Sequence, residues 1–295
     1  VSRRVVAFAL GVAATAGCLL GCFATIDRSK IPADGTVEPG GEAGSDAGGD
    51  GDGTLTVEGG GGDGDTGVPS PCAATHEFCA DFDGAGTTTA AFGFETMPNG
   101  FGGKGVVSFD VAGRSLPRAA RVVTPADPSN AYGGATGLYR SIDGARGLAV
   151  SFDVDVREVT WTGYDLKDVT LAEVVTAKDT ILVVVKAVNP LTVPHAPPAG
   201  TILVQVGVLD PATQAQTSTR RAVRLGQWMH VDMHVRPSGV DVRFDGATEL
   251  SRGAISFAGS GGREGIDHML FGVNRESHAA PAFDVRFDNV VLDYE

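Results

Sequence analysis

From residue 72 onward, apolar residues mostly recur at every second position, and turn residues interrupt the runs every 8 to 12 residues. Val231, Met233 and Val235 alternate with His230, Asp232 and His234. After Pro237-Ser238-Gly239 the alternation resumes, with Val240, Val242 and Phe244 on one face and Asp241, Arg243 and Asp245 on the other. This predicts a hairpin with one buried and one wet face. Strands are predicted in the same way over Gly147–Val159, Thr180–Val188, Thr201–Leu209, Met269–Val273 and Phe283–Tyr294. In the last of these the apolar phase runs Phe283, Val285, Phe287 and then slips to Val290, Leu292, Tyr294, as a bulge at Asp288-Asn289 would cause. Leu166–Lys178 fits a helix or a strand equally well.

Two internal echoes sharpen the picture. Thr180-Ile181-Leu182-Val183 through Asn189-Pro190 repeats as Thr201-Ile202-Leu203-Val204 through Asp210-Pro211, across the Pro-rich stretch Pro190 to Pro198. Adjacent strands with a stiff connection are expected. Asp241-Val242-Arg243-Phe244-Asp245 recurs as Asp284-Val285-Arg286-Phe287-Asp288, with no third copy, which disfavours a solenoid or propeller. The resulting series of short strands implies two sheets packed face to face.

The N-terminal part is patterned differently. Arg3 and Arg4 precede the apolar run Val5 to Leu20, which is short for a membrane span of about 20 residues. It reads as an export signal. Residues 23–71 hold 10 acidic and 2 basic residues, and 14 glycines lie between Gly35 and Gly67. That composition cannot offset the entropy of ordering, so a solvated tether is expected, reaching roughly 40 Å as a flexible coil. The net charge of −13 divides into +2 for residues 1–22, −8 for the tether and −7 for the rest. A nucleic-acid partner, which needs clustered Lys and Arg, is disfavoured. Asp50-Gly51-Asp52-Gly53 and Asp63-Gly64-Asp65 look like pieces of calcium loops, but the twelve-residue calcium register fails: counted from Asp46, Gly48 and Val57 stand where ligands belong.

Leu19-Leu20-Gly21-Cys22 resembles the lipobox of bacterial lipoproteins. The resemblance implies cleavage before Cys22, a lipid on its thiol, and membrane attachment through that anchor. Phe23 follows, where aspartate would signal inner-membrane retention, so the outer membrane is the expected address. The chain is thereby divided into a signal peptide (1–21), a lipidated Cys22 with a disordered acidic linker (22–71), and a folded body (72–295). Cys72 and Cys79, two thiols in an exported chain with no second ligand pair following, are expected to form a disulfide that pins the first strand.

Phe78-Cys79-Ala80-Asp81-Phe82-Asp83, Gly226-Gln227-Trp228, the Phe-Asp-Gly end of the Val240 to Gly246 strand and Phe287-Asp288-Asn289-Val290-Val291 together resemble concanavalin A-like lectin/glucanase domains, especially laminin G-like ones. The resemblance implies an all-β, two-sheet antiparallel jelly-roll sandwich over 72–295. It brings a glycan or surface-protein partner and, by analogy of fold, calcium; the residues themselves call for no cofactor.

Three constellations bear on chemistry. Asp153-Val154-Asp155-Val156-Arg157-Glu158 has the spacing of the E-x-D-x-x-E motif of retaining glucanases in that superfamily, whose key carboxyls stand about 5 to 5.5 Å apart. Asp153 would be nucleophile, Glu158 acid/base, and Asp155 would tune them. However, Asp153 is one methylene shorter than the glutamate of the motif. The plainer reading is a strand with a wet acidic face and no catalysis. His230, Asp232 and His234 alternate along one strand, but residues two apart lie about 6.5 to 7 Å from each other, so no single zinc collects all three, and no metal is expected. A pair with Asp241 stays open. Ala258-Gly259-Ser260-Gly261-Gly262 approaches a nucleophile elbow without its first glycine, and reads as a turn. Tyr132, Tyr139, Trp161 and Tyr164 are the aromatic candidates for stacking on a sugar, or for packing. The leading expectation is a non-catalytic display module; a glucanase and a ligand-free structural module are the alternatives.

Overall fold

The computed structural model describes residues 70–95, 105–115, 117–126, 134–161, 168–177, 180–190, 193–195, 197–210, 212–213, 215–257, 264–275 and 282–294. Cys22 and the tether, Tyr132, Tyr164 and Ala258 to Gly262 lie outside them. Fourteen strands follow in order: β1 (Phe78–Ala80), β2 (Val106–Val111), β3 (Ala119–Thr124), β4 (Gly134–Ala145), β5 (Leu148–Thr160), β6 (Val169–Thr176), β7 (Ile181–Val188), β8 (Thr201–Leu209), β9 (Gln216–Arg224), β10 (Met229–Arg236), β11 (Gly239–Phe244), β12 (Ala247–Arg252), β13 (Ile266–Arg275) and β14 (Ala282–Tyr294).

They form two antiparallel sheets. The larger, of eight strands, runs β12-β11-β10-β5-β14-β3-β2, with β1 also on β14; the smaller, of six, runs β4-β13-β6-β7-β8-β9. The chain passes between the sheets at β3–β4, β4–β5, β5–β6, β9–β10, β12–β13 and β13–β14, so it winds round the sandwich as a jelly roll. Alternation decides the layers. Phe152 and Phe287 of the larger sheet meet Phe271 of the smaller with ring centroids 5.1 and 6.2 Å apart. Val231, Met233 and Val235 are almost wholly buried beside them, whereas His230, Asp232 and His234 are half-buried on the other side. Phe78, Phe82, Phe92, Phe94 and Phe109 close one flank of this core through ring contacts.

The expected hairpin spans β10 and β11, paired from Val231↔Phe244 to Arg236↔Gly239. Asp245 and Gly246, at φ +51° and +77°, make the next tight turn into β12. The bulge in β14 falls where the apolar phase slips: the register against β5 jumps between Asp288 and Val291, with Asn289 at φ +52°. The ambiguous stretch is a strand, β6, because it is buried on both faces and a continuous apolar run has no distinctive period. The echoed segments pair as β7 and β8. Cys72 and Cys79 are bonded, Cα atoms 5.4 Å apart, and Cys79 lies opposite Val291 on β14.

Candidate functional site

The outer face of the larger sheet carries the acidic stretch. Asp153, Asp155 and Glu158 all point there, because an extra residue at Arg157 restores the phase: Asp155 pairs with Arg286 and Glu158 with Asp284 across β14. They do not share one environment. Asp153 is 3% exposed, and its oxygens accept from Arg114 Nη1 at 2.7 Å, His230 Nδ1 at 2.9 Å and Asn289 Nδ2 at 2.8 Å. Asp155 is fully buried, pushed up by burial and partly restrained by its ion pair with Arg157 and by the nearby Arg286. Glu158 is exposed and accepts from Thr160 Oγ1 at 3.4 Å.

The β2–β3 connection lies over this face. Asp288 Oδ2 accepts from the backbone amides of Arg114 (2.7 Å) and Ser115 (2.8 Å) and from the Ser115 hydroxyl (3.0 Å), while Oδ1 accepts from Asn289 N at 2.8 Å. Burial pushes Asp288 up to about 7 despite those donors. The result is a cross-brace joining β5, β10, β14 and the loop above them.

One part of the brace has the connectivity of an acyl-transfer triad: Ser151 Oγ is 3.3 Å from His230 Nε2, and His230 Nδ1 is 2.9 Å from Asp153. The electrostatics are wrong for that chemistry. Asp232 also faces Nε2 at 3.2 Å, so carboxylates bind both ring nitrogens and push His230 up to about 10. An imidazolium cannot take the serine proton. His230 in turn holds Asp232 below its usual value.

The outer face of the smaller sheet is built on another rule. Strands β6, β7 and β8 are apolar on both faces apart from Thr170, Glu173 and Thr176 in β6, Lys186 in β7, and Thr201 and Gln205 in β8. Register puts Lys186 opposite Gln205 and Gln205 opposite Arg220 of β9, a row across three strands. Arg220 Nε donates to Gln205 Oε1 at 2.8 Å. Glu173, opposite Val184, is the diagonal neighbour of Lys186 on the same face. Tyr139 and His268, from β4 and β13, stand further along it with ring centroids 5.0 Å apart. Glu173, His268 and Gln205 are only 2%, 3% and 7% exposed although they point away from the core.

Of the aromatic candidates, Tyr139 thus joins a polar face, whereas Trp161 packs edge-on to core Phe283 at 5.8 Å. His234 lies opposite Asp241, whose carboxylate accepts from Ser251 Oγ at 2.6 Å. Among the described residues no group of three or more His, Cys, Asp or Glu is placed to hold a metal ion. Sequence reasoning passed over Glu173, Lys186 and Gln205. The available signal was one charged or amide side chain inside a largely apolar strand.

No protein-family profile matches the chain, and no curated protein matches it in sequence. Among solved structures, an endo-β-1,4-glucuronan lyase from the fungus Trichoderma reesei is 13% identical with a TM-score of 0.49, covering 75% of this chain and 96% of that one. A cellulose induced protein is 11% identical with a TM-score of 0.46, covering 73% and 96%. An alginate lyase from Zobellia galactanivorans is 8% identical with a TM-score of 0.45, covering 68% and 85%.

Proposed function

We propose that the protein is a non-catalytic surface module that binds a glycan along the outer face of its smaller sheet, displayed from the bacterial envelope by a lipid on Cys22. The observation that carries this reading is the row Lys186, Gln205, Arg220 with Glu173, Tyr139 and His268 on the same face. Arg220 is exposed and Lys186 and Tyr139 are half-buried, so these are the side chains of the face that a sugar chain can reach, on strands spaced about 4.8 Å apart, while Gln205 holds Arg220 in place from below. Tyr139, backed by the buried ring of His268, adds ring surface for stacking. The bonds of Asp153 support the non-catalytic half of the reading. A nucleophilic carboxylate must face its substrate, and this one faces Arg114, His230 and Asn289.

Polysaccharide pull-downs and a glycan array test the proposal on the mature chain. We expect retention of at least one polysaccharide, weakened about tenfold by Arg220→Ala, a loss of about 1.4 kcal/mol. Blank arrays with and without calcium would sink the glycan reading. Release of reducing sugar from β-glucans that disappears in Glu158→Gln would sink the non-catalytic one.

A further inference from the structure

We propose a second sugar site at one end of the sandwich, a cleft that takes the terminal ring of a neutral glycan between Arg146 and Glu264. It does not depend on the sheet face proposed above. The cleft, of about 540 Å³, lies where the β4–β5 turn, the β8–β9 connection, the β10–β11 turn and the segment after β12 come together. That volume falls within the range of about 300 to 1,000 Å³ in which pockets enclose small ligands.

Its wall is apolar on one side. Ala212, Pro237 and Ala254 are exposed along it, over Ile255 and Phe257 of the core, and Ile255 N donates to Pro237 O at 3.1 Å, which fixes the segment after β12 against the hairpin turn. At the rim, Arg146 Nη2 and Glu264 Oε2 stand 3.5 Å apart, with side chains 77% and 52% exposed. An exposed pair at that distance is held weakly, so it can open round a ligand at little cost. A carboxylate accepts from one hydroxyl while a guanidinium donates to its neighbour, and the C–H face of a pyranose covers an apolar wall. The cleft combines these three features.

Charge selects among sugars. The charged residues of the lining are Arg146, Asp210 and Glu264, one cation against two carboxylates, and Arg252, outside the lining, pairs with Asp210 at 3.5 Å, so the cleft offers no net attraction to an acidic ring. Asp210 also accepts from Ala212 N at 3.0 Å and Thr213 Oγ1 at 2.9 Å, which shapes the β8–β9 side of the cleft. Gly265, at φ +106°, lets the segment before β13 that carries Glu264 approach the turn carrying Arg146; a Cβ there would lie 2.3 Å from Gly144 O.

The test is an NMR titration of the mature full chain with free glucose, galactose, mannose and N-acetylglucosamine, and separately with glucuronic acid. A neutral sugar should give saturable shifts at Arg146, Thr213 and Glu264 with a millimolar Kd. Glu264→Gln and Arg146→Ala, both exposed positions, should weaken binding about tenfold, whereas Arg220→Ala leaves it unchanged. The proposal is overturned by the absence of saturable shifts from all four neutral sugars at about 100 mM, by unaltered affinity in both rim variants, or by preference for glucuronic acid. Shifts confined to Lys186, Gln205 and Arg220 would overturn it while leaving the sheet-face reading intact.

Discussion

The Asp153 carboxylate, itself almost wholly buried, gathers donors from the β2–β3 connection, β10 and β14. Asp153→Ala leaves the buried Asn289 amide without its acceptor and takes a carboxylate from Arg114 and His230, so it is expected to destabilise the fold by about 2 to 3 kcal/mol, read from chemical denaturation. An unchanged midpoint would mean that the brace contributes nothing. His230 makes a pH prediction with a definite sign. Asp153 and Asp232 raise it from 6.5 to about 10, so folding is favoured by imidazolium. The contribution is fully present below pH 6.5 and drains away as the pH rises toward 10. Thermal midpoints should therefore fall over that window, and fall less steeply in His230→Gln. Parallel slopes in the two proteins would refute the assignment.

At the scale of elements, β1 is held to β14 by only three residue pairs, Phe78↔Leu292, Cys79↔Val291 and Ala80↔Val290. The Cys72–Cys79 bond closes a short loop, and the chain-entropy relation gives such a loop roughly 2 kcal/mol. Replacing both cysteines with serine should lower stability by about that amount, measured in urea, with the core unaltered. The β4–β5 turn and the start of β13 depend instead on backbone contact. Gly265→Ala combines a strained φ with the clash against Gly144 O and is expected to cost about 1 to 3 kcal/mol. A wild-type midpoint for this variant would contradict the geometry. Elements also differ in how plainly they could be read. β10 and β11 alternate strictly, β14 alternates up to its bulge, and β8 spans Thr201–Leu209 as its pattern predicts. β4 is interrupted by Gly134, Gly137 and Gly144, and β9 is almost wholly exposed with little apolar content. Both are edge strands, and an edge held by ladder bonds and by Arg221 or Glu95 contacts needs few buried side chains.

For the whole molecule, the proposed display function joins two separable parts. The lipid is tested by mass spectrometry: an acyl mass shift on the mature protein should vanish in Cys22→Ala, and the variant should leave the membrane fraction. Persistence of both would remove the anchor from the proposal. The charge distribution belongs to this scale too. Most of the chain's net −13 sits in residues 23–71 at −8, so the acidic bias describes the tether more than the sheet face, where Lys186 and Arg220 lie.

The sequence by itself determined the all-β class, the hairpin, the bulge at Asp288-Asn289 and the cysteine pairing partners. Each follows from a local rule: alternation, turn chemistry, a slip of phase, or the absence of other ligands. Alternation also put Asp153 and Asp155 on one face, and the extra residue at Arg157 that turns Glu158 onto it came only with the structure. Only the tertiary structure decided what surrounds them. Arg114 lies 39 residues from Asp153, and Asn289 lies 136 from it. Likewise Glu173, Lys186, Gln205 and Arg220 stand on four different strands, and they come onto one face only when register aligns them. Local patterning fixes which way a side chain points, but strand order and register fix its neighbours, and those are set by packing between distant segments.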